Sequence, residues 1–165
     1  MEDIIAKAEH YRVRAHRKAR GHFLAESRAQ RLNNLLGVPV VITTTIVGTT
    51  IFATLDSTPD FRVKISTGLL SIAAAVLAAL HTFFRYSEQA ERHRTAAGNY
   101  YVAYRALDLF KLRQSETGNQ DRSRAIDELE TILLQLNQFD KESPEFPDRF
   151  YDQAVREEKI DNDSV

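Results

Sequence analysis

Histidines are the residues best suited to chemistry in this chain, because it has five of them and no cysteine. His10, His16 and His22 are six residues apart, which puts them on different helix faces, and no HxxxH or HExxH pattern occurs. His93 has no second histidine or carboxylate at ligand spacing on its own face. There is also no phosphate-binding glycine loop and no GxSxG motif. The sequence therefore predicts no catalytic site, no metal site, no cofactor and no enzyme activity.

His81 is the one ionisable residue in the apolar run 65–84. An ionisable group inside such a run is a functional candidate, as a gate or as a pH-sensitive contact. Its place near the end of the run allows a plainer role, in which the imidazole anchors a membrane helix at the level of the lipid headgroups. We expect the anchoring role.

Small and hydroxyl-bearing residues share faces in both apolar runs of the sequence. Those of interest are Thr43, Thr50, Thr54, Gly48, Ser71, Ala75 and Ala79. Ridges of small residues let membrane helices approach closely, and there are more ridges than one pair of helices needs, so we expect homo-oligomers. A ring of threonine faces would line a narrow polar pore. Alternatively, the threonines bond to their own backbone and only pack helices, and the sequence favours neither interpretation.

Two long runs lack Asp, Glu, Lys and Arg: residues 32–55 and residues 65–84. Twenty helical residues extend about 30 Å, the thickness of the hydrocarbon core of a bilayer. We therefore predict two transmembrane helices. The first is too deep in the chain, after a long charged segment, to be a signal peptide. An apolar hairpin buried in a soluble bundle is the alternative, but the charged remainder of the chain offers little surface to cover it.

The flanks of these runs predict the topology of the protein. Residues 56–64 form a short connection containing Pro59, which favours an antiparallel hairpin with both termini on one side. Residues 1–31 carry eight Lys or Arg and residues 85–113 carry six, against two in the connection. By the positive-inside rule, both termini are cytoplasmic and the loop is external. The expected location is the cell inner (plasma) membrane, as a multi-pass protein.

The polar segments have the apolar periodicity of helices. We predict a basic helix over 1–31, a stalk helix over 85–114, a helix over 121–139 and an acidic C-terminal segment with a short helix over 140–165. Apolar positions recur along the first two of these at Ile4, Ala8, Tyr11, Ala15, Ala19 and Leu24, and at Tyr86, Ala90, His93, Ala97, Tyr100, Tyr104 and Leu107. The predicted fold is an all-α membrane protein, a two-transmembrane helical hairpin with long cytoplasmic helices packed as a bundle.

Charge is distributed unevenly, although the formal net charge is only −1. Residues 116–165 contain 14 acidic residues against six basic ones, whereas residues 1–31 contain eight basic residues against four acidic ones. The acidic tail either docks on the basic helices or forms a solvated face. The near-neutral balance is not that of a nucleic-acid binder, so no nucleic-acid partner is expected.

Several short motifs occur in a fixed order along the chain. They are Tyr11-x-x-Arg14-x-His16, Leu36-Gly37-x-Pro39, Val47-Gly48-Thr49 and the run from Phe84-x-Tyr86 through His93-Arg94 to Tyr100, followed by Ser143-Pro144 and Pro147. In this order and with these two spans, the chain resembles the SLATT family. These are two-transmembrane effector domains associated with nucleotide-signalling systems of bacterial conflict.

The resemblance implies a function as well as a fold. It implies an antiphage effector that oligomerises and forms pores in the inner membrane on a signal, killing or arresting the infected cell. Its partners would be the lipid bilayer and a separate nucleotide-generating or nucleotide-sensing protein. His16, Gly37, Pro39, Gly48, His93 and Tyr100 become candidate motif positions, without any catalytic role. The alternative is a membrane-anchored scaffold whose cytoplasmic helical bundle recruits a partner protein.

Overall fold

The computed structural model describes residues 2–54, 60–117 and 122–163, with side chains described outside 115–117 and 160–163. These residues form five α-helices and no strand. The helices are α1 (Glu2–Ala53), α2 (Phe61–Phe84), α3 (Tyr86–Thr117), α4 (Arg122–Glu142) and α5 (Asp148–Asp163). The all-helical prediction is therefore confirmed.

The helix boundaries differ from the sequence prediction in several places. The predicted helices over 1–31 and 32–55 are one helix, α1, which has no break at residue 31 or 32 and continues through Pro39 within the second segment. Helix α2 begins at Phe61, so the end of the predicted loop 56–64 is helical. Residues 56–59 of that loop, including Pro59, lie outside the described residues, as do residues 118–121.

The predicted stalk does not continue directly from the second apolar helix. Arg85 has φ 47° and ψ 41°, a left-handed conformation that ends α2. Its carbonyl then accepts the first amides of α3, from Glu88 at 3.0 Å and Gln89 at 3.1 Å. The Gln89 side chain donates to the carbonyl of Phe84 at 2.8 Å, which satisfies an otherwise open end of α2.

The chain divides into two compact units. We call residues 1–27 with 90–165 the charged unit, and residues 28–89 the apolar unit. The charged unit has an alanine-rich core, in which small side chains let α1, α3 and α4 pack closely. One cluster of buried residues contains Ile4, Ala8, Leu107, Phe110, Ala125, Leu129 and Ile132, and a second contains Ala15, Ala19, Tyr100, Ala103 and Leu136.

These clusters confirm the apolar faces predicted for α1 and α3, except at Leu24, which is half-buried while the neighbouring Ala25 is buried. On α4 the buried positions Leu129, Ile132 and Leu136 are confirmed, but Ile126 is 45% exposed and Ala125 occupies the buried position instead. The short helix predicted within residues 140–165 is present as α5. Ala154 is the one buried side chain among those described on it.

Candidate functional site

Asp140, on α4, is the centre of a polar cluster in the charged unit. Its Oδ1 accepts hydrogen bonds from the Lys18 ammonium and the Tyr100 hydroxyl, each at 2.5 Å. Its Oδ2 accepts one from the Arg14 guanidinium at 2.9 Å. Burial opposes ionisation of Asp140, but the bonds from Lys18 and Tyr100 outweigh burial and lower its pKa. The carboxylate therefore stays charged and joins α1, α3 and α4. We call these four residues the Asp140 cluster.

Two histidines that the sequence placed apart form a pair beside this cluster. Nδ1 of His22 and Nδ1 of His93 are 3.1 Å apart, so one ring donates a hydrogen bond through its N–H and the other ring accepts it. His22 is 2% exposed, and its ring stacks on Tyr100 with centroids 5.4 Å apart. Burial, followed by the nearby His93 and Lys18 charges, lowers the pKa of His22 from 6.5 to about 4. Burial also lowers the pKa of His93. Both rings are neutral at pH 7.

The segment between α4 and α5 covers the His22 ring. The edge of the Phe146 ring meets His22 with centroids 4.5 Å apart. A Cβ atom added to Gly21 would lie 2.7 Å from Cζ of Phe146, so glycine makes room for this ring. A cavity of about 370 Å³ remains, whose lining includes Lys18, His22, Tyr100, Asp140 and Phe146.

The remaining predicted position of the charged unit, His16, has an aromatic neighbour. Its ring lies 5.1 Å from that of Tyr104, centroid to centroid. Arg12 donates to the Tyr104 hydroxyl at 3.2 Å and also contacts the ring face, with Cζ 5.3 Å from the centroid. The structure thus assigns His16 a packing role on the α1–α3 interface.

No three His, Asp or Glu side chains converge on a possible metal position within the described residues. In the Asp140 cluster, the Tyr100 hydroxyl and the two cations Lys18 and Arg14 all donate to one carboxylate, so the arrangement joins α1, α3 and α4 through a single anionic acceptor. It is a partly exposed polar cluster that connects three helices.

The six threonines of residues 32–55 all donate to backbone carbonyls of their own segment. Thr43 donates to the carbonyl of Pro39 at 2.7 Å, Thr50 to Ile46 at 2.8 Å and Thr54 to Thr50 at 2.9 Å. The hydroxyls of Thr44, Thr45 and Thr49 do the same. Such bonds satisfy the hydroxyl as a donor without any partner helix and leave both oxygen lone pairs free. Pore lining by Thr43, Thr50 and Thr54 stays a prediction.

The small-residue ridge of α2 is largely open. Ala75 and Ala79 are exposed, and Ser71, half-buried, donates to the carbonyl of Thr67 at 2.8 Å. Ala74, on the neighbouring ridge, is the buried residue of α2. On α1, a Cβ added to Gly48 would meet no atom within 4 Å. These surfaces leave space for a helix from another molecule to approach.

His81 contacts α1 within the apolar unit. Its Nε2 lies 3.1 Å from Oδ1 of Asn33, and a Cβ added to Gly37 would lie 3.2 Å from the same nitrogen. Asn33 is not among the positions predicted from the sequence, although an amide in a run without charges is an available hydrogen-bond partner. Gly37 therefore leaves space for the imidazole, and His81 joins two helices. Whether it also anchors at lipid headgroups stays a prediction.

The sequence reasoning missed the His22–His93 pair and the central role of Asp140. A signal for His22 was present, because residue 22 continues the buried series 8, 11, 15 and 19 on α1. No comparable signal identified Asp140, one of 14 acidic residues in residues 116–165.

Comparison of the chain with protein-family models, curated proteins and solved structures finds no match.

Proposed function

We propose that this is an integral membrane protein whose apolar segments, 32–55 and 65–84, cross the bilayer as a hairpin. The observation that supports this is uncovered apolar surface. None of the most apolar 18 residues of α1 is buried, and 6% of those in the second apolar helix are, each window with a mean hydropathy of 1.9. Phe52 is 77% exposed and Phe83 is 78% exposed. Helices of this kind in a soluble core would be mostly buried, and lipid provides the missing cover.

The charges of the chain support an orientation for this hairpin. Residues 1–31 and 85–113 are rich in Lys and Arg, whereas Arg62 and Lys64 are the basic residues of the short connection. In our proposal the charged unit lies in the cytoplasm and the connection lies outside the cell. The protein is then a multi-pass protein of the inner membrane with both termini cytoplasmic.

We further propose that the protein oligomerises and permeabilises the membrane on a signal, as an effector of a bacterial antiphage system. Open small-residue surfaces at Gly48, Ala75 and Ala79 support self-association, because they allow another helix to approach closely. The resemblance to the SLATT family supports the effector role. In this proposal, a separate nucleotide-generating or nucleotide-sensing protein supplies the signal.

Leakage from liposomes tests permeabilisation. Purified protein is reconstituted at increasing protein-to-lipid ratios, and release of an enclosed dye is measured. We expect leakage to rise steeply with protein density, because assembly follows mass action. Replacing Thr43, Thr50 and Thr54 together by Leu removes the shared hydroxyl face, and should reduce leakage at least tenfold if that face lines the path.

A matched variant controls for the lost hydroxyls. Replacing Thr44, Thr45 and Thr49 by Leu deletes the same number of hydroxyls, each also bonded to its own helix, and should leave leakage unchanged. Vesicles that stay intact at every density, or equal losses in both triple variants, would contradict a threonine-lined pore.

A membrane-anchored scaffold is the second candidate, and two observations favour it. The threonine hydroxyls need no polar pore, since each donates to its own backbone. In addition, α3 exposes apolar side chains in the charged unit, with Val102, Leu109 and Leu112 at 63%, 53% and 57% exposure. A scaffold would recruit its partner equally well with Leu at Thr43, Thr50 and Thr54. Pull-down of partners by that triple variant therefore separates the two functions.

A further inference from the structure

Two carboxylates near the end of α5 are seated on two arginines of α1. Arg17 Nε lies 2.6 Å from a carboxylate oxygen of Glu158, and Arg20 Nε lies 2.6 Å from one of Glu157. Arg17 and Arg20 are one helical turn apart, so they present their guanidinium groups on the same side of α1. Their anionic partners are 141 and 137 residues away in the sequence. Arg12, by contrast, pairs with Glu9 on its own helix.

We propose that Arg17 and Arg20 form a binding site for phosphate groups, and that α5 is a releasable clasp whose Glu157 and Glu158 occupy this site in the closed form. Arginine is the side chain that best matches a phosphate, because its planar fork presents several N–H donors to the oxygens of one group. A carboxylate presents similar oxygens, so Glu157 and Glu158 act as internal stand-ins for the ligand.

The surroundings of the two arginines suit this assignment. A cavity of about 370 Å³ lies between α1 and α5, lined by His16, Arg20, Ala154, Glu157 and Glu158. Arg14 and Lys18, on the same stretch of α1, add positive charge and are held by Asp140 of α4. This stretch stays in place through Asp140 when α5 leaves, so the site does not depend on the clasp for its geometry.

The attachment of α5 is weak enough to be reversed. Its ion pairs are partly solvated: the side chains of Arg20 and Glu157 are 51% and 33% exposed, and those of Arg17 and Glu158 are 30% and 18% exposed. Ion pairs of this kind contribute little to stability. The apolar part of the contact is small as well, since Ala154 is the one fully buried side chain described on α5. Pro144 and Pro147 lie in the non-helical segment that separates α4 from α5, so α5 is not a continuation of α4.

Pyrophosphate binding tests the site in the full-length protein. The affinity of the protein in neutral detergent is measured by calorimetry, and α5 release is measured as amide exchange over residues 148–159. Glu157→Gln with Glu158→Gln removes the internal stand-ins, so we expect about tenfold tighter pyrophosphate binding and faster α5 exchange. Adding Arg17→Gln and Arg20→Gln to this variant should abolish binding.

A second measurement identifies the source of the phosphate. The wild-type protein is placed in nanodiscs of phosphatidylcholine alone or with phosphatidylglycerol, without pyrophosphate. Faster α5 exchange with phosphatidylglycerol shows that lipid headgroups release the clasp. If pyrophosphate in detergent accelerates α5 exchange and phosphatidylglycerol in nanodiscs does not, a soluble phosphate releases the clasp. The detergent measurement requires no bilayer, so its outcome is independent of the proposed pore.

Controls separate a ligand site from purely structural ion pairs. Glu128→Gln with Glu130→Gln removes the same net charge on α4, where Glu128 pairs with Arg113, and should leave pyrophosphate affinity at the wild-type value. Faster α5 exchange in the Glu157→Gln, Glu158→Gln variant without any gain in affinity for pyrophosphate or phosphatidylglycerol would overturn the proposal. An equal gain in the α4 control would overturn it too, because bulk charge would then explain the binding.

Discussion

At the scale of single residues, the hydroxyl of Tyr100 holds the buried end of the Asp140 cluster. Tyr100 is 1% exposed, and burial together with its bond to Asp140 raises the pKa of the phenol. The phenol therefore stays protonated and acts as a donor at any physiological pH. A hydrogen bond from a neutral donor to a charged acceptor is among the stronger contributors to stability.

Tyr100→Phe tests this contribution. We expect the free energy of unfolding of the charged unit to fall by about 2 kcal/mol, because Asp140 loses one donor and keeps Lys18 and Arg14. The measurement is chemical denaturation in detergent, and unfolding is monitored by the exchange of buried amides. Tyr101→Phe, at a residue 38% exposed, is the control and should change little. A similar loss in both variants would contradict the cluster.

The His22–His93 pair makes stability depend on pH in a defined window. The pKa of His22 is about 4 in the folded protein, below the ordinary 6.5. Between these values the unfolded chain takes up a proton that the folded protein refuses, so stability falls as the pH falls from 6.5 to 4. The expected loss from His22 is at most about 3 kcal/mol. Carboxylates such as Glu9, whose pKa is lowered to about 2 by its bond with Arg12 against the effect of burial, act at lower pH.

His22→Phe should flatten this pH dependence, since a phenyl ring keeps the stacking and cannot be protonated. Unfolding free energies measured at several pH values between 4 and 7 provide the slope. His10, which is exposed, supplies the matched variant His10→Phe, whose slope should equal that of the wild type. An unchanged slope in His22→Phe would show that the buried pair is not responsible.

At the scale of elements, the segment between α4 and α5 packs on α1 at Gly21, where the absence of a Cβ atom leaves space for the Phe146 ring. Gly21→Ala places a methyl group 2.7 Å from Cζ of Phe146, and the ring has to move off His22. We expect the charged unit to lose about 1–3 kcal/mol of stability and amide exchange near Phe146 to accelerate. Phe146→Ala should remove the additional effect of Gly21→Ala, as a double-mutant cycle would show.

Gly98 supplies the opposite result for the same substitution. A Cβ added there meets nothing within 4 Å, so Gly98→Ala should stabilise α3 by about 0.5–1 kcal/mol through helix propensity alone. Destabilisation in both glycine variants would mean that helix backbone effects, rather than Phe146, explain Gly21→Ala.

At the scale of the whole molecule, the separation of charged and apolar surfaces defines the environment that the protein needs. Val76 and Val102 are both exposed valines, at 53% and 63%. In our proposal, one faces lipid and the other faces water. The same substitution at the two positions therefore tests membrane insertion without disturbing a buried core.

Val76→Arg should reduce the fraction of protein that resists alkaline extraction from membranes, because an arginine at the centre of a span costs about 2.5–3.5 kcal/mol on insertion scales. Val102→Arg should extract as the wild type does, since its side chain lies in the charged unit. Equal behaviour of the two variants would contradict a bilayer position for residues 65–84.

The sequence by itself determined the features that depend on local periodicity and composition. Helices follow from apolar spacing, and the two long apolar segments follow from the absence of charge over 20 or more residues. Both signals lie within one stretch of chain. The buried faces of α1 and α3 were predictable for the same reason, with Ala15 and Leu107 as examples.

Only the tertiary structure decided which distant residues meet. His22 and His93 are 71 residues apart, and Lys18 and Asp140 are 122 apart. No local pattern selects Asp140 from the other acidic residues, or Glu157 and Glu158 as partners of Arg20 and Arg17. Such choices depend on how the helices pack, because a hydrogen bond or ion pair needs atoms within a few ångströms of each other. The packing of α1 on α3 is what brings His22 next to His93.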